Sequence, residues 1–222
     1  MPSKVHQTAI ISKGAILDGE DIEVGAFSYI GPNVVIGNSS KIYSHCVIEG
    51  NTTIGKNNQF FPFSVIGSYP QHSKFSGGTS KLLIGDNVIF VNGAVIGGHV
   101  EIGDYCYLGG HSAVHQFCRV GKHAIIGAST MVDGDVIPFS SVVGSRGRLS
   151  GLNLVGLKRR SFKREDIKLL RQVYRLLFAP EGTFTERLIE VKEVFGEKPL
   201  VDEILSFLNN NSHRSLVHPG AN

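Results

Sequence analysis

The stretch GGHSAVHQFCRVGKHAIIG, Gly109–Gly127, carries His111, His115 and His123 beside Cys118. A histidine-rich run next to a cysteine raises the question of a metal site or a catalytic base. The spacing of its apolar residues answers differently. Val114, Val120 and Ile126 lie six apart, and Leu108 just before the run keeps the same step.

Extended outward, the step persists. Val24, Ile30, Ile36, Ile42, Ile48, Ile54, Phe60 and Ile66 stand in one frame, and Ile84, Phe90, Ile96 and Ile102 resume it before Leu108. From Val24 to Val132, seventeen of nineteen sixth positions are large and apolar; His72 and Gly78 are the exceptions. An earlier block, Ile10, Ile16 and Ile22, has the same step displaced by two residues. The residue after the apolar one is often glycine, and the one four after it is small or polar, as at Ser28, Ser40, Cys46, Thr52, Ser64, Cys106, Cys118 and Thr130. This is the hexapeptide pattern of a parallel β-helix, with one short strand and one turn per six-residue side. Three sides close a triangular coil, so residues eighteen apart stack as neighbouring rungs. The fold class expected is mainly β, a hexapeptide-repeat β-helix over residues 1–152. All three cysteines fall on the small-residue position and read as packing residues rather than nucleophiles or ligands.

Two departures from the frame organise the rest. The segment SYPQHSKFSGGTSKL, Ser68–Leu82, is polar and reads as a loop thrown out of the coil wall. After Val132 the pattern fades through Pro138, and from Ser161 the period becomes helical. Ile167, Leu170, Val173, Tyr174 and Leu177 share one helix face, with Ser161 as the expected N-cap. Thr185–Phe195 and Leu200–Leu208 are two further amphipathic stretches, so residues 153–222 are expected to form a small C-terminal α-helical domain.

Composition narrows the function classes. The 222 residues carry a net charge of +3 and are 41% hydrophobic, which suffices for a real core. No apolar run approaches the length of a membrane helix, and the opening MPSKVHQTAIISKGAI has no secretory h-region. Three widely spaced cysteines suggest no disulfide framework, so a cytoplasmic protein is expected. Eight basic residues crowd Lys158–Arg175 against Glu165 and Asp166 alone. That excess suits an anionic partner, although a solvated helix face has the same composition. Nucleic acid fits poorly because no aromatics interleave with the basic residues. His111 and His115 are four apart but stand in the hexapeptide frame and not on a helix, and the cysteines show no Cys-x-x-Cys, so no metal centre is expected. Neither a Gly-x-Ser-x-Gly elbow nor a Walker loop is present.

The motifs SAVHQFCRVG, GLNLVGLKRRSFKREDI and PFSVIGSYPQHSKF together resemble the UDP-N-acetylglucosamine 3-O-acyltransferase family of lipid A synthesis. The resemblance spans essentially the whole chain. It implies that the β-helix is left-handed, that the chain assembles as a homotrimer, and that active sites lie in clefts between subunits. The implied reaction transfers an (R)-3-hydroxyacyl chain from acyl carrier protein to the 3-hydroxyl of UDP-N-acetylglucosamine, with no metal and no cofactor. In the family a histidine base deprotonates the sugar hydroxyl, which attacks the thioester carbonyl, and a backbone amide stabilises the oxyanion.

By the same resemblance, Gln71, Lys74 and Phe75 match the family's nucleotide-sugar loop, where His72 replaces an aspartate and Ser73 a leucine. His99 matches a histidine near the reacting sugar, and His115 and Gln116 match a His-Gln pair. Arg159 and Arg160 match basic residues that reach the nucleotide phosphates, Asn153 is counted among the substrate-binding residues, and Val155 stands where the family often has glutamate. Ala128 occupies the place of a small residue that helps set acyl-chain length. One departure outweighs the others. The family's segment Arg-Glu-x-Val-Thr-Ile-His-Arg-Gly, with the His-x-x-His-Asp turn bearing the general base, is absent, because LIGDNV runs straight into IFVNGAVIGGHV. The frame survives the gap, so roughly two coils plus a loop are missing, and Ser80 and Lys81 stand one coil before His99. His99 is the remaining candidate base; the alternative is that it holds substrate or lines the cleft. His45, His111 and His123 are expected to be exposed turn residues. Three readings follow: an acyltransferase impaired by the missing base, a catalytically silent trimer that binds UDP-sugar or acyl carrier protein, and a hexapeptide enzyme with altered substrates.

Overall fold

Residues 18 apart become hydrogen-bonded neighbours because each six-residue side ends in a turn that rotates the chain to the next wall. Phe90 pairs with Leu108, Ile96 with Val114, and Ile102 with Val120, all parallel. In the computed structural model, which describes residues 2–69, 77–78, 80–210 and 212–220, the described strands form three sheets of nine, seven and six strands. They are the three walls of a triangular coil, numbered here in chain order. The first wall contains strands such as Tyr107–Leu108, the second Ala113–Val114 and the third Arg119–Val120.

The frame residues point inward. Ile30, Ile36, Ile48, Phe60, Ile66 and Phe90 are completely buried, and the Phe60 and Phe90 rings stack at 4.7 Å between centroids. Each such side chain contributes about 1.5–3 kcal/mol relative to exposure. Cys46, Cys106 and Cys118 are free and buried at the small-residue position. Burial pushes their thiols up, to about 11 for Cys46 and about 12 for Cys106 and Cys118, so they remain protonated packing groups.

Most turns carry a left-handed residue three positions after the inward one. His45, His99, His111 and His123 have φ of 58°, 58°, 56° and 60°, and Phe27, Phe63, Tyr105 and Phe117 occupy equivalent places. Such backbone is costly for a non-glycine residue. Here the cost is offset by stacking along the corner, since the same position recurs one rung above. Phe27, His45 and Phe63 form one such column, with centroids 5.1 and 5.3 Å apart.

Two register features depart from expectation. In the first coil the partners are Val5↔Val24, Ile11↔Ile30 and Leu17↔Ile36, a step of 19. The inward-leaning residues are therefore Ile11 and Leu17, while Ile10 and Ile16 are 61% and 52% exposed. One extra residue in the turn that holds Gly19 (φ 129°) and Asp21 (φ 55°) shifts the alternation, and Ile22 is buried at a small-residue position instead. The second feature is the pairing of Lys81–Ile84 with Asn51–Ile54, a step of 30. The twelve additional residues fall between the second and third walls, and the strand that follows them resumes the frame. The expected loop, 68–82, is shorter at its far end: Ser80 is 5% exposed and Leu82 1%, inside the wall strand Lys81–Ile84.

Beyond Met131–Val132 the coil closes with Ser140–Val143 and an antiparallel return, Arg148–Leu152. Four helices follow: α1 Leu154–Arg159, α2 Arg164–Leu177, α3 Phe184–Phe195 and α4 Pro199–Asn209. The second and third amphipathic stretches match α3 and α4 closely. The expected N-cap Ser161 is instead a left-handed residue (φ 59°), and the Asp166 carboxylate accepts from the Lys163 amide at the true start of α2. Helix α1 had no periodic signal of its own. Leu157, Leu170, Val173, Leu177, Val191, Val201 and Ile204 form a second core. The chain then returns to the coil: the Val217 amide donates to Asp135 O (2.8 Å), and the Asp135 amide donates to Ser215 O (2.8 Å).

Candidate functional site at the corner between the second and third walls

His99, His115 and Gln116 lie in turns at one corner, between the second and third walls. His99 and Phe117 hold equivalent turn positions on successive rungs, and their rings stack at 4.6 Å with 7° between planes. The neighbour of His99 is therefore Phe117 rather than His115. The corner is tight, since a Cβ on Gly98 would lie 2.6 Å from Ser80 Cβ. Lys81, Leu83, His99, Glu101, Phe117 and His213 line a small cavity of about 190 Å³. Ser80 and Lys81 thus lie one rung below His99, as the spacing implied.

The C-terminal tail contributes two residues that periodicity had no means of placing. His213 meets the Phe117 ring edge-on at 5.7 Å. Arg214 approaches His115 Nδ1 with Nη2 at 2.6 Å and donates from Nε to Gln116 O at 3.0 Å. Both lie about a hundred residues from their partners, in a segment with no repeat to mark them. Gln71, His72 and Lys74 lie outside the described residues, as does Phe75.

The corner between the third and first walls carries the basic residues. The Arg160 Nη2 donates to Tyr105 O at 2.6 Å, and its guanidinium lies 5.5 Å from the centre of the Tyr105 ring. His123 is sandwiched between Tyr105 and Phe139, at 4.8 and 5.5 Å, with Phe162 edge-on at 5.1 Å. It is half-buried and not the exposed turn histidine expected, because Asn153, Arg160 and Phe162, at the ends of α1 and in the connection to α2, cover this corner. Burial, assisted by the Arg160 charge, pushes its imidazole down to about 4. His45 and His111 are exposed, as expected.

Asn153 is 4% exposed, and both ends of its amide are used internally. Its Oδ1 accepts from the Gly156 amide at 3.0 Å, capping α1, and its Nδ2 donates to His123 O at 2.9 Å. These bonds fasten the helix to the coil. Arg159 is exposed on α1. Nearby, Lys158, Phe162, Arg164, Ile167, Lys168 and Arg171 line a basic cavity of about 620 Å³. Ala128 is exposed at the remaining corner, between the first and second walls. The candidate residues of one chain therefore occupy three different edges of the prism. Among the described residues, no group of three or more His, Cys, Asp or Glu side chains is placed to hold a metal ion, and no helix is long and apolar enough to cross a membrane.

Residues 135–217 match a family model described as UDP N-acetylglucosamine O-acyltransferase, domain 2. An acyl-[acyl-carrier-protein]–UDP-N-acetylglucosamine O-acyltransferase of Caulobacter vibrioides is 40% identical over 258 residues, covering 97% of this chain and 98% of the relative. The corresponding protein of Bartonella bacilliformis is 35% identical over 260 residues, covering 98% and 94%. Alignments this long against a chain of 222 residues require internal gaps on this side. Among solved structures, the UDP-N-acetylglucosamine acyltransferase of Francisella novicida superposes with a TM-score of 0.67 at 30% identity, covering 96% of this chain and 94% of that one. The enzyme of Acinetobacter baumannii gives the same TM-score at 29% identity, covering 96% and 99%. The coil is the left-handed parallel β-helix of these proteins. With near-complete coverage by relatives at this identity, the chain belongs to the acyl-[acyl-carrier-protein]–UDP-N-acetylglucosamine O-acyltransferase family.

Proposed function

We propose that the protein transfers an (R)-3-hydroxyacyl chain from acyl carrier protein to the 3-hydroxyl of UDP-N-acetylglucosamine, the first step of lipid A synthesis. The observation that carries this is the gathering of His99, His115 and Gln116 at one corner of a β-helix that matches the family along nearly its whole length. His99 is the candidate base. It takes the proton of the sugar hydroxyl as the oxygen attacks the thioester carbonyl. A backbone amide holds the oxyanion, and collapse expels the carrier thiolate, which takes the proton from the His99 imidazolium and restores the base. His115 and Gln116 position the sugar, and the exposed corner residue Ala128 limits the acyl chain.

Distribution of these groups over three edges supports a homotrimer, in which neighbouring chains bring different corners together. In that arrangement Arg159, Arg160 and the 71–74 loop residues reach the nucleotide. The cationic cavity beside α2 suits acidic acyl carrier protein. On this reading residues 1–152 form the catalytic coil, residues 153–222 the helical domain, and the protein works in the cytoplasm.

A second reading has a specific support. Ser80 and Lys81 occupy the rung below His99 where the family's base segment would stand, so the trimer binds UDP-sugar or acyl carrier protein and turns over slowly or not at all. Acyl transfer from 3-hydroxyacyl carrier protein to UDP-N-acetylglucosamine decides between them. Transfer that His99→Ala abolishes supports the first reading. Retained UDP-sugar binding without transfer establishes the second, and transfer that survives His99→Ala removes His99 as the base.

A further inference from the structure

Arginine is a donor only and stays protonated at any working pH. Its approach at 2.6 Å from Arg214 Nη2 to His115 Nδ1 therefore requires a lone pair on that nitrogen. His115 Nδ1 also lies 3.3 Å from the carbonyl oxygen of Gln116, the acceptor that an Nδ1–H would otherwise use. Arg214 fills that acceptor as well, donating from Nε at 3.0 Å. One guanidinium thus disfavours the Nδ1–H form by aiming a donor at that nitrogen, while its Nε, bonded to the Gln116 carbonyl, holds it beside the ring.

We infer that Arg214, carried in by the C-terminal tail, is a positioning residue that holds His115 as the neutral Nε2–H tautomer, so that the cleft is offered a hydrogen-bond donor. Resting on the acyltransfer reading, this gives His115 a definite role: its Nε2–H donates to an oxygen of the sugar nucleotide or acyl group and does not accept a proton. Two backbone bonds hold the tail in register for this. They are Asp135 N–H to Ser215 O and Val217 N–H to Asp135 O, each 2.8 Å. Asp135 is itself fixed by Arg119, with Nε at 2.8 Å and Nη2 at 2.7 Å from Oδ2.

The test is the pair of ring-nitrogen shifts of His115, read by long-range proton–nitrogen NMR at pH 8, above the ordinary histidine range. His115→Gln identifies the signals. In the intact protein, Nδ1 is expected to show the shift of an unprotonated nitrogen and Nε2 that of a protonated one. In Arg214→Met the two exchange, as Nδ1–H turns to the freed Gln116 carbonyl, and affinity for UDP-N-acetylglucosamine falls about tenfold. Arg214→Lys, which keeps a donor, retains more of the original pattern. A protonated Nδ1 in the intact protein overturns the inference, as does an unchanged pattern in folded Arg214→Met. If Arg214→Met does not fold, the intact protein and Arg214→Lys decide. None of these spectra needs turnover, so an inactive chain with the expected tautomer defeats only the acyltransfer reading.

Discussion

The His99 and Phe117 rings lie face to face at 4.6 Å because both occupy the left-handed turn position of successive rungs. The stack orients an exposed imidazole that otherwise has no covalent or helical constraint on its direction. Phe117→Ala is expected to lower acyl transfer about tenfold through loss of orientation, and Phe117→His to restore part of it. His99→Ala should cost about 10²- to 10⁴-fold, the usual value of a general base. Steady-state kinetics on the three variants checks the order; equal losses for both alanine variants would show that the stack acts on the fold rather than the base.

His123 gives the fold a pH dependence. Its folded-state value is pushed down to about 4 from an ordinary 6.5, so the unfolded chain binds the proton more readily. Stability is therefore full above pH 6.5 and declines as pH falls toward 4. Urea midpoints measured between pH 8 and 4 should show this slope, and His123→Phe should flatten it while keeping the aromatic column. Arg160→Met should move the His123 titration upward, since the nearby positive charge is a secondary cause of the shift.

The step of 19 in the first coil predicts an asymmetry between adjacent residues. Leu17→Ala should destabilise by about 1–3 kcal/mol, whereas Ile16→Ala should stay within about 0.5 kcal/mol. Chemical denaturation compares them directly. The opposite ranking would place Ile16 inward and restore the displaced frame.

Asn153→Ala removes a helix cap and the bond to His123 O. A loss of about 1–2 kcal/mol in stability is expected, with affinity for UDP-N-acetylglucosamine unchanged. Thermal unfolding and calorimetric titration separate these effects. A weakened sugar-nucleotide affinity in the folded variant would return Asn153 to the substrate.

Much of this was legible before any coordinates. A period of six with an inward aliphatic needs only side-chain alternation and a turn, so local rules carry it, and the three cysteines follow from the same count. The helical face of α2 was equally readable, because Ile167, Leu170, Val173 and Leu177 repeat at the helical period. The first coil misled because a single extra residue near Gly19 reverses which neighbour faces inward, while Ile10 and Ile16 still look like core.

Local spacing, then, determined the coil, its rungs and the turn positions of the histidines, and the motifs containing His115, Gln116 and GLKRR carried the resemblance to the family. Tertiary structure alone decided that His123 is half-buried, that Asn153 fastens helix to coil, and that His213 and Arg214 reach the corner of His99. The physical reason is range. A repeat specifies contacts eighteen residues away, because each rung lies on the last. The contact between Arg214 and His115 spans about a hundred residues and forms only because the helices pack beside the coil and return the tail to Asp135.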